Sequence, residues 1–485
     1  MPFRDYGREQ IWLLPPSLGD LLPNDHPARF VAAFVDELDV GDLGIQAVAS
    51  DLGAPSYHPR LLLNCWLYGF MEGKRSTRAL ECACRETVPY MWLTGLQKPD
   101  HVTLWRFYKQ NRKAMRKLFK CTVKLAVRVG LVDFALQAID GTKIKVGSSS
   151  KMRTRKALQK LLKRVEEEIA SLEQENEALV AQGSGSSKKA LAKKEGLRKR
   201  VRQAMAQLEE EEGEQSQGSS QESKGNKVAS VTDPEARLMK GRQGWALSYN
   251  AQALVDGKHQ IVVAAEVSNE PVDTHQLIPL LEQSQEMTGQ YGDTILADRG
   301  YYSGENLEAA EKCTDLLMPD PRLKGKKSPQ KWSYHKDHFR YDAERDEYIC
   351  PQGKRLTSSH RTKSNNKRYD THVYRCRECA GCPVREECTR DRHGRTIHIG
   401  EYESIMRSHG EKMVCQETRD LYKRRAPLVE GLFGVIKERL QAHRFLLRGI
   451  DNTRAEWHLL CTASNMRKLH KYWWQSQQTG QLRAA

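Results

Sequence analysis

Apolar residues recur at helical spacing through the first 125 or so residues. Phe30, Val31, Phe34, Val35 and Leu38 form one stripe, behind Asn24-Asp25 and Pro27. Leu61, Leu62, Cys65, Trp66 and Gly69 form a second, behind His58-Pro59. Steps of three and four predict amphipathic helices, and a polar cap with Pro in the first turn marks where each begins. Ser76-Thr77 and Asp100 are placed to cap two more. The last helix carries Lys109, Arg112, Lys113, Arg116, Lys117 and Lys120, a row of cations that suits either phosphate contacts or a solvated face.

A different pattern fills residues 151–235. Leu158, Leu162, Val165, Ile169, Leu172, Asn176 and Leu179 step by four and three, which is heptad spacing. Gly183-Ser184-Gly185-Ser186-Ser187 interrupts it, and Leu197, Val201, Ala204 and Leu208 resume it. The reading is an antiparallel helical hairpin. A Ser/Gln/Glu-rich tail from Gly213 to about Asn226 follows, too polar to pack.

On either side of this insert the apolar runs shorten to strand length. Leu136-Gln137-Ala138-Ile139 ends on Asp140-Gly141, and Thr294-Ile295-Leu296-Ala297 ends on Asp298-Arg299-Gly300. Between them lie strands at 247–255 and 260–267, joined by an Asp256-Gly257 hairpin signal, and a helix from His275 to Met287. A helix from Gly304 to Glu311 and a strand from Leu316 to Met318 follow. The order predicts an α/β fold with a mixed, ribonuclease H-like sheet. It is preceded by an all-α N-terminal domain and interrupted by a coiled-coil hairpin and a Cys-rich insert.

The domain reading is a helical, DNA-binding domain over 1–130, and a catalytic core from 131–150, 236–320 and 421–475. The hairpin and linker take 151–235, and the Cys-rich insert takes 321–420.

Two strands that each deliver a carboxylate at a polar exit point to two halves of one cation site. Phosphoryl transfer on DNA needs one oxygen activated and another stabilised, which two hard divalent ions do, and Mg²⁺ (or Mn²⁺) takes carboxylate ligands. Asp140, on the central strand, is the candidate bridge between two ions. Asp298 and Glu430 are candidates for one ion each. Glu430 and Lys437 stand seven residues apart in a helical run, so Lys437 is expected to project beside Glu430 toward a phosphate. Taken one at a time, these are also ordinary strand-end turn residues and a surface helix Glu.

The net charge of +16 favours a polyanionic partner, most commonly nucleic acid. No apolar run is long enough to cross a bilayer, and Met1-Pro2-Phe3-Arg4-Asp5 lacks a signal-peptide pattern. The expectation is a cytoplasmic, nucleoid-associated protein without a membrane partner. Its twelve Cys are then thiols or metal ligands. Cys350, Cys376, Cys379, Cys382 and Cys388 cluster with the Cys-x2-Cys spacing of a structural zinc site, or of free cysteines in a small β-rich insert.

The chain resembles bacterial insertion-sequence transposases of the DDE class. The resemblance rests on Ala138-Ile139-Asp140-Gly141-Thr142, Ala297-Asp298-Arg299-Gly300-Tyr301, and Val429-Glu430 with Phe433-Gly434 and Ile436-Lys437. It extends to Tyr57-His58-Pro59, Gly73 to Arg78 and Pro99 to Thr103 in the helical half, and to Phe445-Leu446-Leu447-Arg448-Gly449 and Glu456. It implies catalytic Asp140, Asp298, Glu430 and Lys437, with two Mg²⁺ on the three carboxylates. It also implies a structural Zn²⁺ on Cys350, Cys379, Cys382 and Cys388, with Cys376 spare. The implied partner is double-stranded DNA, as transposon ends and target, bound by a homodimer through Lys109, Arg112, Lys113, Arg116, Lys117, Arg299 and Arg425. Many relatives place a Tyr and an Arg at fixed offsets before the Glu. Here those offsets hold Lys423 and Ala426, with Tyr422 and Arg425 one residue earlier. The implied activity is terminal-repeat binding with strand cleavage and transfer. A nuclease without transfer and an inactive DNA-binding regulator are the alternatives.

Overall fold

Two His-Pro pairs open the first helices of the molecule. In this computed structural model, which describes residues 17–45, 55–147, 152–181, 188–216, 228–241, 244–323, 331–363 and 370–479, the caps are the histidines themselves. His26 Nδ1 accepts from Ala28 N at 3.2 Å, and His58 Nδ1 accepts from Arg60 N at 3.2 Å. The ring acceptor satisfies an orphan first-turn amide, and the proline at the next position has no amide to satisfy. The cap expected at Asn24-Asp25 therefore moves to His26. Ser76 and Asp100 cap as expected, accepting from Ala79 N and Thr103 N.

The chain forms two compact units. The first takes residues 1–122, 435–442 and 458–485. Its helices are Pro27–Asp36, Pro59–Met71, Thr77–Glu86, Val88–Thr94, His101–Gln110 and the start of Arg112–Arg128, with the distal part of Ile450–Thr479. Aromatic rings fill the space between them: Trp66 against Tyr108 at 5.1 Å, Tyr68 against Tyr90 at 4.9 Å, and Phe30 against Trp473 at 5.8 Å. The row of cations does not share one helix. The first helix ends at Gln110, Asn111 caps it by donating its side-chain amide to Phe107 O, and Arg112 begins the next. Lys109, Lys113, Arg116 and Lys117 are exposed, and Lys117 Nζ donates to the Asp42 carbonyl at 2.7 Å.

The second unit is built on a seven-stranded sheet. Leu136–Val146 is its central strand, and it runs antiparallel to Gly244–Asp256 over residues 137–145. The outer edge of Gly244–Asp256 is shared by Val262–Ser268 and Arg237–Gly241, both antiparallel to it. The other edge of the central strand is shared by two parallel partners. Thr294–Leu296 pairs residues 136–138, and Arg444–Phe445 pairs 145–146. Asp315–Leu317 pairs Thr294–Leu296, again in parallel. Alternate residues on both faces of these strands are buried, as a sheet covered by helices requires. The Asp256-Gly257 turn forms where predicted, with the Asp256 carboxylate accepting from Lys258 N and His259 N.

The heptad insert is an antiparallel pair of helices, Arg155–Ala181 and Lys188–Ser216. Leu158, Val201, Ala204 and Leu208 form its core, and Arg155–Glu209 and Arg202–Glu166 link the helices across it. The second helix continues past Gly213 to Ser216. The polar turn at 183–187 and the tail over 217–226 lie outside the described residues. The Cys-rich segment forms a separate five-stranded antiparallel sheet between Arg340 and Gly400. Its core is Phe339, Tyr348, Leu356, Tyr374, Cys376, Cys379 and Ile397.

Candidate active site

Asp140 lies in a gap. Strand pairing along that edge of Leu136–Val146 stops at Ala138 and resumes at Lys145. Ala138 pairs with Leu296, so two residues further along the parallel strands Asp140 and Asp298 emerge as neighbours. Each carboxylate is steadied by the amide that follows it. Asp140 Oδ1 accepts from Gly141 N at 2.8 Å and Asp298 Oδ1 from Arg299 N at 2.7 Å.

A guanidinium occupies the space between them. Arg425 Nη1 is 3.2 Å from Asp140 Oδ2, and Nη2 is 3.5 Å from Asp298 Oδ1. Tyr422 ties this arginine to the sheet, because its hydroxyl accepts from Arg425 Nε at 3.3 Å and donates to the Ala297 carbonyl at 3.2 Å. The Gln416–Lys423 helix ends at Arg424, and a new helix, Arg425–Gly434, starts at the arginine and packs on the central strand. Pro427, in the first turn of that helix, suits such a restart. The Arg425 side chain is 14% exposed, Asp140 23% and Asp298 50%. Burial raises the Asp140 pKa above the ordinary carboxylate value. Arg425 opposes that shift and Asp298 adds to it.

Glu430 sits on the same helix and is exposed. Five residues at about 100° each put it about 140° around the helix from Arg425. Among the described residues, no three His, Cys, Asp or Glu side chains are gathered closely enough to hold a metal ion. Seven residues on from Glu430, Lys437 lies in a different kind of turn. Val435–Arg439 is a π-helical turn, in which Leu440 N donates five residues back to Val435 O at 3.0 Å. Such a turn breaks the regular phase that the spacing assumes. Arg299 is exposed, on the short 3₁₀ turn that Asp298 caps.

Behind the aspartates is a polar network that sequence reasoning missed. Asp273 Oδ1 accepts from Lys143 Nζ at 2.9 Å, Asn250 Nδ2 at 2.7 Å and Gln252 Nε2 at 2.8 Å. Gln252 Oε1 accepts from the fully buried Tyr301 hydroxyl, and the Gln252 carbonyl accepts from Trp457 Nε1 at 2.9 Å. Gly141 was the available signal, since glycine inside a strand often marks a close approach.

The donor chemistry suits magnesium. Both carboxylates offer hard oxygens, and the seating of Arg425 between them shows that this position accepts positive charge.

The five clustered cysteines are free thiols and all line one cavity of about 20 Å³, together with Tyr334 and Arg395. Lys354 N donates to Cys350 Sγ at 3.3 Å, and Arg395 N donates to Cys379 Sγ at 3.4 Å. Burial, followed by the hydrogen bond with Cys379, pushes the Cys376 thiol up to about 12.

No helix of the described residues is long and apolar enough to cross a membrane. No curated protein matches the chain. Residues 16–110 match the model of a transposase domain (DUF772), and residues 349–470 match that of a transposase DDE domain. Asp140 and Asp298 fall outside both stretches, so their pairing is known from the sheet alone. With a match to a transposase domain among its first helices and to a DDE transposase domain toward its C-terminus, this chain is similar to the insertion-sequence transposases of the DDE class.

Proposed function

We propose that the protein binds the terminal inverted repeats of a DNA element and cleaves and rejoins DNA strands at a site built on Asp140 and Asp298. The observation that carries this reading is the delivery of two carboxylates by neighbouring parallel strands into one gap, around a cation. The strand order supports a ribonuclease H-like core: an antiparallel meander ends on the central strand, and two parallel strands continue the sheet beyond it. Divalent magnesium held by Asp140 and Asp298, with Glu430 as a further ligand, would supply activation of the attacking oxygen and stabilisation of the leaving one. The residues themselves set the geometry. Gly141 N and Arg299 N orient the two carboxylates, and the Asp273 network fixes the strand beneath them.

The exposed cations Lys109, Lys113, Arg116 and Lys117, with Arg112, are the proposed grip on DNA. Arg299, Arg425 and Lys437 are assigned to the scissile region. A homodimer on paired ends belongs to the same reading. A structural zinc on Cys350, Cys379, Cys382 and Cys388 belongs to the same reading, on the Cys-x2-Cys spacing of the sequence.

The test is cleavage of DNA carrying the element's own ends, with Mg²⁺. Asp140→Asn and Asp298→Asn should each abolish cleavage and leave end binding within a few-fold of wild type. Normal cleavage by either variant would place the chemistry elsewhere. Cleavage without joined products would leave a nuclease.

A further inference from the structure

We infer that Arg425 is the resident cation of the metal-free site, and that a divalent ion enters by displacing it. The inference rests on the reading of Asp140 and Asp298 as metal ligands. Two neighbouring carboxylates repel one another unless a positive charge lies between them, and Arg425 is the group that supplies it.

Its seating is loose. Nη2 is 3.5 Å from Asp298, beyond a good charged hydrogen bond. Nη1 is buried, and its 3.2 Å approach to Asp140 lacks hydrogen-bond geometry. An arginine built to stay on two carboxylates makes paired, well-directed bonds; this one neutralises charge without them. Its firmer tie is sideways, through Nε to Tyr422 and from there to the Ala297 carbonyl. The guanidinium can therefore leave the carboxylates while staying beside the site. A divalent cation and a guanidinium repel each other and compete for the same oxygens, so the two states exclude one another. Once released, Arg425 no longer has its anions and is free to take a phosphate oxygen, which couples metal entry to DNA grip.

The experiment is Mn²⁺ binding to the full chain, counted by electron paramagnetic resonance, alongside thermal unfolding in chelator and across a Mn²⁺ series. Arg425→Gln should bind Mn²⁺ roughly tenfold more tightly, within the usual range of coupling between two sites. It should also melt lower than wild type in chelator and gain more from added metal. Arg425→Lys, which keeps a cation, should fall between the two. Tyr422→Phe keeps the arginine but removes its tether, and should also tighten Mn²⁺ binding, by less. It serves if the glutamine variant does not fold. Unchanged or weaker Mn²⁺ binding in Arg425→Gln, or in Tyr422→Phe where only that variant folds, overturns the inference. Asp140→Asn separates the two failures. If it leaves Mn²⁺ binding intact, the metal site itself is misassigned. If it removes binding while Arg425→Gln changes nothing, only the displacement is wrong.

Discussion

A side chain at Gly141 would overlap the amide of Gln252. That amide donates to Asp273, which also accepts from Lys143, and its carbonyl end receives the Tyr301 hydroxyl. The residue after the central aspartate is thus glycine because the network that supports the aspartate passes directly over it.

Gly141→Ala should therefore push Gln252 off Asp273. Overpacking of this kind costs about 1–3 kcal/mol, measurable as a lower denaturant midpoint with the slope unchanged. Gly434→Ala is the control. Among the described residues, no atom beyond its chain neighbours and its own helix backbone lies within 4 Å of the added Cβ, so it should be neutral or stabilising by up to about 1 kcal/mol. Equal effects at the two glycines would remove the network from the explanation.

End binding should depend on the cations of the helical half. Neutralising one phosphate-binding cation lowers the slope of log affinity against log salt by about one. The double variant Lys113→Ala, Lys117→Ala should bind DNA more weakly at low salt and show a slope flatter by about two. Retention of both affinity and slope would make that surface an ordinary solvated face. Lys437→Ala should spare end binding and slow cleavage.

Elemental analysis of the purified chain should find about one zinc. Cys379→Ser and Cys382→Ser should lose it and loosen the Arg340–Gly400 module, detected as faster proteolysis there, whereas Cys376→Ser should retain the metal. A zinc-free protein whose module resists protease equally would show that the thiols only pack.

Stability should fall on mild acidification through His409. Its Nε2–H donates to the Met318 carbonyl at 2.8 Å, and burial holds its pKa below the ordinary histidine value, partly offset by that bond. With the folded pKa depressed, the unfolded chain takes up the proton first. The contribution is fully present above about pH 6.5, the unfolded value, and is lost as pH falls from there toward the folded pKa. His409→Gln should flatten the dependence of unfolding free energy on pH below about 6.5. An unchanged slope would assign it to other groups.

Local pattern alone determined much of this protein. Period-3.6 stripes marked the helices, heptads marked the Arg155–Ala181 and Lys188–Ser216 hairpin, and the runs ending on Asp140 and Asp298 marked two strands. These signals survive because each depends on neighbours within a turn or a pleat. Tertiary structure decided everything that depends on phase or on distant partners. A break at Arg424 separates Tyr422 from the helix of Arg425 and Glu430, and a π turn at Val435–Arg439 follows that helix, neither of which residue counting along an ideal helix registers. The sharing of one strand edge by Thr294–Leu296 and Arg444–Phe445 opens the gap at Asp140, and no local pattern encodes which strands share an edge. Asp273 came from an unremarkable loop. Its importance arises because three donors from two strands meet on one of its oxygens, a convergence that exists only once the sheet has formed.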